Sequence, residues 1–191
     1  MQYLIVSGEA KPDALSQSFI QEIIRGASDA GADVQCLSLE GIERCRNCND
    51  GWGDCKNEHT CAFGKDGFQD IQSAIRQADA ICIVTPVHLG KPADWTMNFM
   101  DRLRKCESGD FGAMANKPAL VVSFPGNTES GMLSCLEQMD KFCRQTGSVI
   151  FDYLSVNSWN SDYTKTSAYH AGRAMAYGRK AGEMGYRKRQ R

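Results

Sequence analysis

Ala80-Ile81-Cys82-Ile83-Val84, continuing into Thr85-Pro86-Val87-His88-Leu89-Gly90, is the stretch on which the architecture turns. Its first five residues are all apolar, which reads as a strand buried on both faces, because a strand with one wet face would alternate. The proline and glycine that follow read as a turn leading away from the end of that strand.

Working outward, the same pattern recurs on both sides. Tyr3-Leu4-Ile5-Val6 is a short apolar run, and Leu15, Phe19, Ile20, Ile23, Ile24 and Ala27 then repeat at helical spacing. Asp33 to Leu39 reads as a second strand, and Phe68, Ile71, Ile75 and Ala78 mark a second helix. After the quoted strand, a third helix is expected from Asp94, taken as its N-cap, through Trp95, Phe99, Met100 and Leu103. Pro118 to Phe124 reads as a fourth strand, Ser130 to Gln145 as a helix, Ser148 to Leu154 as a fifth strand, and Lys165 to Met184 as a last helix.

Near-continuously apolar strands separated by helices imply a parallel sheet covered on both faces, since parallel strands need crossover connections. Five such units fit an α/β, flavodoxin-like, doubly wound five-stranded parallel sheet of order 2-1-3-4-5, with helices on both faces. In that order a ligand sits beyond the carboxyl ends of strands one and three, where the winding reverses. Two loops are thereby singled out, Ser7 to Ser18 and Thr85 to Pro92.

The first loop carries hydroxyls at Ser7, Ser16 and Ser18, a cation at Lys11, and the free amides of a helix start, which together suit a phosphate. The same residues also read as a helix simply capped by Asp13 or Ser16, and the carboxylate of Glu9 repels a phosphate. The second loop offers backbone amides, the ring of His88 and a glycine that permits close approach, so a planar heterocycle can lie against it.

Composition bounds the remaining choices. A chain of 191 residues can bury a full core, and one domain is expected: a single unit over 1–186 with a cysteine-rich insertion at about 41–66 and a basic tail at 187–191. The net charge of −1 gives no support for bulk nucleic-acid binding. No apolar stretch approaches the roughly 18 residues of a membrane span, and Met1-Gln2-Tyr3 leads directly into a strand, so a cytoplasmic location is expected.

Nine cysteines, an odd number, argue against a disulfide scaffold. Cys36, Cys82, Cys106, Cys135 and Cys143 are dispersed and are expected to act as small buried apolar residues. The other four form Cys45-x2-Cys48-x6-Cys55-x5-Cys61, after strand two. Four thiolates in a loop containing Gly51 and Gly53 can hold a [4Fe-4S] cluster or tetrahedral zinc, or remain free thiols or a local disulfide. His59 is either a substitute ligand or a solvated loop residue. Trp52, in a polar loop, is expected to pack against a second subunit, and Trp95 to serve as core or as a ligand edge.

Taken together, Cys45-Arg46-Asn47-Cys48 through Cys61, Asp66-Gly67-Phe68, Ala78-Asp79-Ala80, Thr85-Pro86-Val87-His88-Leu89-Gly90 and Asn98-Phe99-Met100-Asp101-Arg102-Leu103 resemble, in order and at matching distances, the NADPH-dependent FMN reductases. Within them the likeness is to the iron–sulfur flavoproteins and their cysteine-loop relatives, over residues 1 to about 150. The resemblance implies FMN, with its phosphate at Ser7, Lys11, Ser16, Gln17 and Ser18. Its ring would lie along Thr85, Pro86, Val87, His88, Leu89 and Gly90, with a third contact at Phe124, Pro125, Gly126 and Asn127. Where the family usually shows Ser-Pro-Arg-x-x-Gly-Asn-Thr, this chain has Glu9-Ala10-Lys11-Pro12-Asp13-Ala14-Leu15-Ser16, without the arginine and the glycine–asparagine turn. His88 replaces the family's tyrosine.

The expected function is an FMN-dependent NAD(P)H oxidoreductase that passes electrons to a small acceptor or a partner protein, working as a homodimer or homotetramer. No side chain stands out as a catalytic acid or base. The alternatives are an iron–sulfur flavoprotein acting as an electron carrier, and a non-catalytic module with a zinc-structured cysteine loop.

Overall fold

The computed structural model of the chain describes residues 1–9, 11–48, 53–107, 112–126 and 128–177. Strands β1 (Gln2–Ser7), β2 (Asp33–Ser38), β3 (Ala80–His88), β5 (Pro118–Phe124) and β6 (Val149–Ser155) pair in parallel in the order β2-β1-β3-β5-β6. Counting parallel strands alone, this is the expected 2-1-3-4-5 sheet, and the class is flavodoxin-like. The sheet also has a sixth member: β4 (Lys91–Pro92) folds back antiparallel on the end of β3. It was not anticipated because the strand does not stop at Val84. It continues to His88 and reverses through Leu89 and Gly90, both at positive φ.

Helices α1 (Ala14–Asp29), α2 (Phe68–Gln77), α3 (Asp94–Cys106), α4 (Met132–Gln145) and α5 (Ser161–Ala176) cover the two faces. The period of two along each strand separates the core into two layers. Tyr3, Ile5, Cys82, Val84, Leu120 and Val122 point to α1 and α5, where they meet Phe19, Ile23, Ala168 and Met175. Leu4, Val6, Ile81, Ile83, Ala119 and Val121 point the other way, onto Phe68, Phe99, Met139 and Phe142. An edge-on pair, Phe19 and Phe124, with centroids 5.6 Å apart, closes the first layer near the carboxyl end of the sheet.

Three sequence expectations are corrected. Asp94 does not cap α3: it is the first helical residue, and the cap position, Ala93, has its amide bound to Thr85 Oγ1 at 3.0 Å. Helix α5 starts at Ser161 instead of Lys165, because Asn157 and Asn160 exchange side-chain-to-amide bonds of 2.8 and 2.9 Å that turn the chain there. Cys36 is exposed and not a buried filler, since β2 is an edge strand with one face wet. The basic tail at 187–191 and the expected end of the last helix at Met184 lie outside the described residues.

Candidate functional site

The carboxyl ends of β1, β3 and β5 open on one pocket of about 620 Å³, a size suited to a small-molecule cofactor. Gly8, Glu9, Lys11 and Asp13 line it from the loop after β1. Pro86 and His88 do so from the end of β3, Ala93, Asp94 and Trp95 from the start of α3, and Pro125 and Gly126 from the loop after β5. Three loops far apart in sequence are thus joined at the point where the winding reverses.

Two glycines allow the walls to meet. A Cβ on Gly8 would sit 1.9 Å from Thr96 Oγ1, and one on Gly126 would sit 2.2 Å from the Val87 carbonyl oxygen. Thr85, fully buried, fixes the β3 end by sharing a 2.9 Å hydrogen bond with Thr96 and accepting the Ala93 amide. Trp95 both lines the pocket and packs on the core, so its two sequence readings hold together.

Not every residue singled out in the sequence faces the pocket. Ser7 Oγ accepts the Glu9 amide at 3.3 Å within its own turn. Ser18 is turned along α1, donating to the Leu15 carbonyl at 2.8 Å. Gln17 is exposed on the helix, Val87 and Phe124 are in the core, and Leu89 is fully exposed at the hairpin tip beside Gly90. Asn127 lies outside the described residues. Pocket-lining residues that the sequence did not single out for a ligand are Ala93 and Asp94; the signal available was their position directly after the β3–β4 hairpin.

The start of α1 is already occupied by carboxylates. Asp13 caps the helix, accepting the Ser16 amide at 2.8 Å. The hydroxyl of the fully buried Ser16 reaches Glu9 Oε2 at 2.6 Å and Asp13 Oδ1 at 3.0 Å. Burial pushes the Glu9 carboxyl above its ordinary value, the Ser16 hydrogen bond opposes this, Asp13 adds to it and His88 works against it. The pocket therefore has room for a flat heterocycle between its loops, while Ser16 is turned onto internal carboxylates and Ser7 and Ser18 onto backbone groups, leaving Lys11 as the expected phosphate partner that lines it.

The four loop cysteines form a second feature. Cys45, Cys48, Cys55 and Cys61 all line one small cavity of about 60 Å³, together with Arg46 and Lys105. Among the described residues, no group of three or more His, Cys, Asp or Glu side chains converges closely enough to hold a metal ion. Cys45 instead lies 3.8 Å from Asn47 Oδ1, and Cys61 lies 3.6 Å from the Phe63 carbonyl. The donor set has the chemistry of a thiolate cradle, and the sulfurs would have to turn inward to share a metal. His59 is an exposed loop residue that is nevertheless tied down: its Nδ1 binds the Cys106 carbonyl at 3.0 Å and its own carbonyl accepts from Gln72 at 2.8 Å. Trp52 and Gly51 lie outside the described residues.

The loop is anchored from beneath. Arg102 on α3, essentially buried, pairs with Asp66 and donates to the carbonyls of Phe63 at 2.7 Å and Glu43 at 3.2 Å. Its guanidinium also lies 4.2 Å from the centre of the Phe68 ring. Burial alone would raise Asp66, but the Arg102 hydrogen bond and charge and the amides of Glu43 and Phe68 hold it below its ordinary value.

Comparison with known proteins shows the family and the fold. Residues 1–161 match the family described as NADPH-dependent FMN reductase, and the chain belongs to that family of oxidoreductases. An iron–sulfur flavoprotein of Methanocaldococcus jannaschii is 24% identical over 144 residues, 74% of this chain and 71% of the relative. Among solved structures, a flavone reductase superposes with a TM-score of 0.73 at 17% identity, covering 100% of this chain and 66% of that one. An NAD(P)H:quinone oxidoreductase from Methanothermobacter marburgensis gives 0.69 at 15% identity, covering 92% and 96%. These structural likenesses establish the fold. Among the described residues no helix is long and apolar enough to cross a membrane.

Proposed function

We propose that the chain is a flavin-dependent NAD(P)H oxidoreductase of the cytoplasm that uses FMN and passes electrons to a small acceptor or a partner protein. The observation that carries this reading is the convergence of Gly8, Pro86, His88, Trp95 and Gly126 on one pocket at the switch point of the sheet. When bound there, the flavin supplies the hydride chemistry. The chain's own part is to hold a planar ring between Pro86-Val87-His88 and Pro125-Gly126, to border it with Trp95, and to leave the outer face open for a nicotinamide. Protein purified without added flavin and reconstituted with FMN should oxidise NADPH in the presence of a quinone or free flavin. Absence of turnover and of any flavin binding would remove the proposal.

A second reading is supported by the loop: four cysteines around one cavity bordered by Arg46 and Lys105, in a chain related to an iron–sulfur flavoprotein. Cationic neighbours suit an anionic thiolate-held cluster. In this reading Cys45, Cys48, Cys55 and Cys61 hold a [4Fe-4S] cluster and the chain is an electron carrier. Iron, sulfide and zinc analysis of anaerobically purified protein decides it: iron with sulfide supports the carrier, zinc alone indicates a structural loop, and neither leaves the flavin enzyme with free thiols. A homodimer or homotetramer, expected from the tryptophan at position 52 in a polar loop, is tested by light scattering.

A further inference from the structure

We infer that Glu9 is a specificity-determining residue at the phosphate end of the flavin pocket, disfavouring the flavin phosphate relative to the uncharged flavin alcohol. The inference rests on the flavin reading above and deepens it. Its basis is the side-chain arrangement at the start of α1. Both hydrogen-bonding groups of Ser16 that could meet an anion are committed to carboxylates: the amide to Asp13 at 2.8 Å and the hydroxyl to Glu9 at 2.6 Å.

The charged and titratable groups that line the pocket come from three elements. Glu9 and Asp13 contribute carboxylates from the first loop, Asp94 contributes one from the start of α3, and Lys11 and His88 stand against them. A phosphate entering here must displace Glu9 from Ser16 and then lie near the displaced charge. Like charges a few ångströms apart in a partly shielded site repel strongly. The terminal ribityl hydroxyl of riboflavin, which is the phosphorylated position in FMN, carries no charge and can donate to the same carboxylates. Glu9 thus does internally what a phosphate does in a loop that presents free donors, and FMN is held as an exchangeable ligand.

Titration of flavin fluorescence with purified protein, using FMN and riboflavin in parallel, tests this directly and needs no catalytic turnover. Wild-type protein is expected to bind the two within about threefold of each other. Glu9→Gln should tighten FMN by about tenfold and leave riboflavin within about twofold, because only the phosphate senses the removed charge. Lys11→Gln, an independent variant, should weaken FMN alone. Wild-type protein that prefers FMN by more than about threefold, or a Glu9→Gln variant that changes both ligands alike, overturns the assignment while leaving the flavin pocket standing. Binding of neither flavin overturns both this assignment and the flavin reading on which it rests.

Discussion

Arg102 and Asp66 form a buried ion pair that ties the end of the cysteine loop to helix α3, with the guanidinium also holding the carbonyls of Glu43 and Phe63 on either side of the loop. Neither residue lines the pocket at the carboxyl ends of the sheet. Its role is to fix the path of the chain between β2 and α2, so that the segment carrying four cysteines leaves and rejoins the sheet at set points. The Asn98 side chain, one turn earlier on α3, adds a 2.9 Å bond to the Ile42 carbonyl.

Removing one member of this pair leaves the other buried and unpaired, a change that typically costs about 3–5 kcal/mol. Arg102→Met should therefore lower the stability measured by urea unfolding by about that amount. Asp66→Asn should cost less, because the amide still accepts from the guanidinium. The loop thiols of both variants should react faster with Ellman's reagent than those of the wild type.

The same pair sets a pH dependence. Asp66 titrates below its ordinary value when folded, so its contribution is fully present above the unfolded-state value of about 4 and is lost as pH falls through the folded one. The stability gap between wild type and Asp66→Asn, read from unfolding midpoints at pH 7, 5 and 3, should be constant over the first interval and narrow in the second. A gap that persists unchanged at pH 3 would show that the charge on Asp66 contributes nothing.

Thiol chemistry should divide the nine cysteines. Burial pushes the thiols of Cys106, Cys135 and Cys143 up to about 12 and raises Cys82 further. Only the thiolate attacks, so these four should resist alkylation in native protein at pH 8. Cys48, exposed in the loop, should be modified first, and Cys36, exposed but with its thiol raised by partial burial, after it. Mass spectrometry after a short iodoacetamide pulse reads the pattern, and early labelling of Cys135 or Cys143 would contradict the packing described.

At the pocket, Gly126→Ala places a methyl group 2.2 Å from the Val87 carbonyl oxygen, both backbone-anchored, so the loop after β5 must move. Flavin affinity should fall by about tenfold or more, which is roughly 1.4 kcal/mol, with the sheet itself intact. Fluorescence titration alongside a circular-dichroism melt separates loss of ligand from loss of fold.

Much of this architecture was legible in the order of residues. The runs Tyr3–Val6, Ala80–Val84 and Pro118–Phe124 are strands because burial on two faces demands continuous apolar sequence, and Phe19, Ile23 and Ala27 form a helix face because three and four residues complete a turn. The same apolar runs with intervening helices also pointed to the end of the sheet where a pocket opens, through the switch-point geometry of a 2-1-3-4-5 sheet. What failed was local and explicable. The β3 extension and its hairpin were hidden because Pro86 reads as a strand breaker, yet it sits at the last pairing position with β5 and its carbonyl accepts the Ala93 amide. The exposure of Cys36 depended on β2 being an edge, which pairing alone decides.

The sequence by itself determined the elements and their order, because helical and strand periodicities are properties of neighbours along the chain. Only the tertiary structure decided what the elements do for one another at a distance. Arg102 and Asp66 meet across 36 positions, and Glu9, not an incoming anion, takes the Ser16 hydroxyl because the loop after β1 curls back over the start of α1. Such contacts depend on the path of the backbone through space, and no periodicity along the chain encodes which carboxylate will reach which donor.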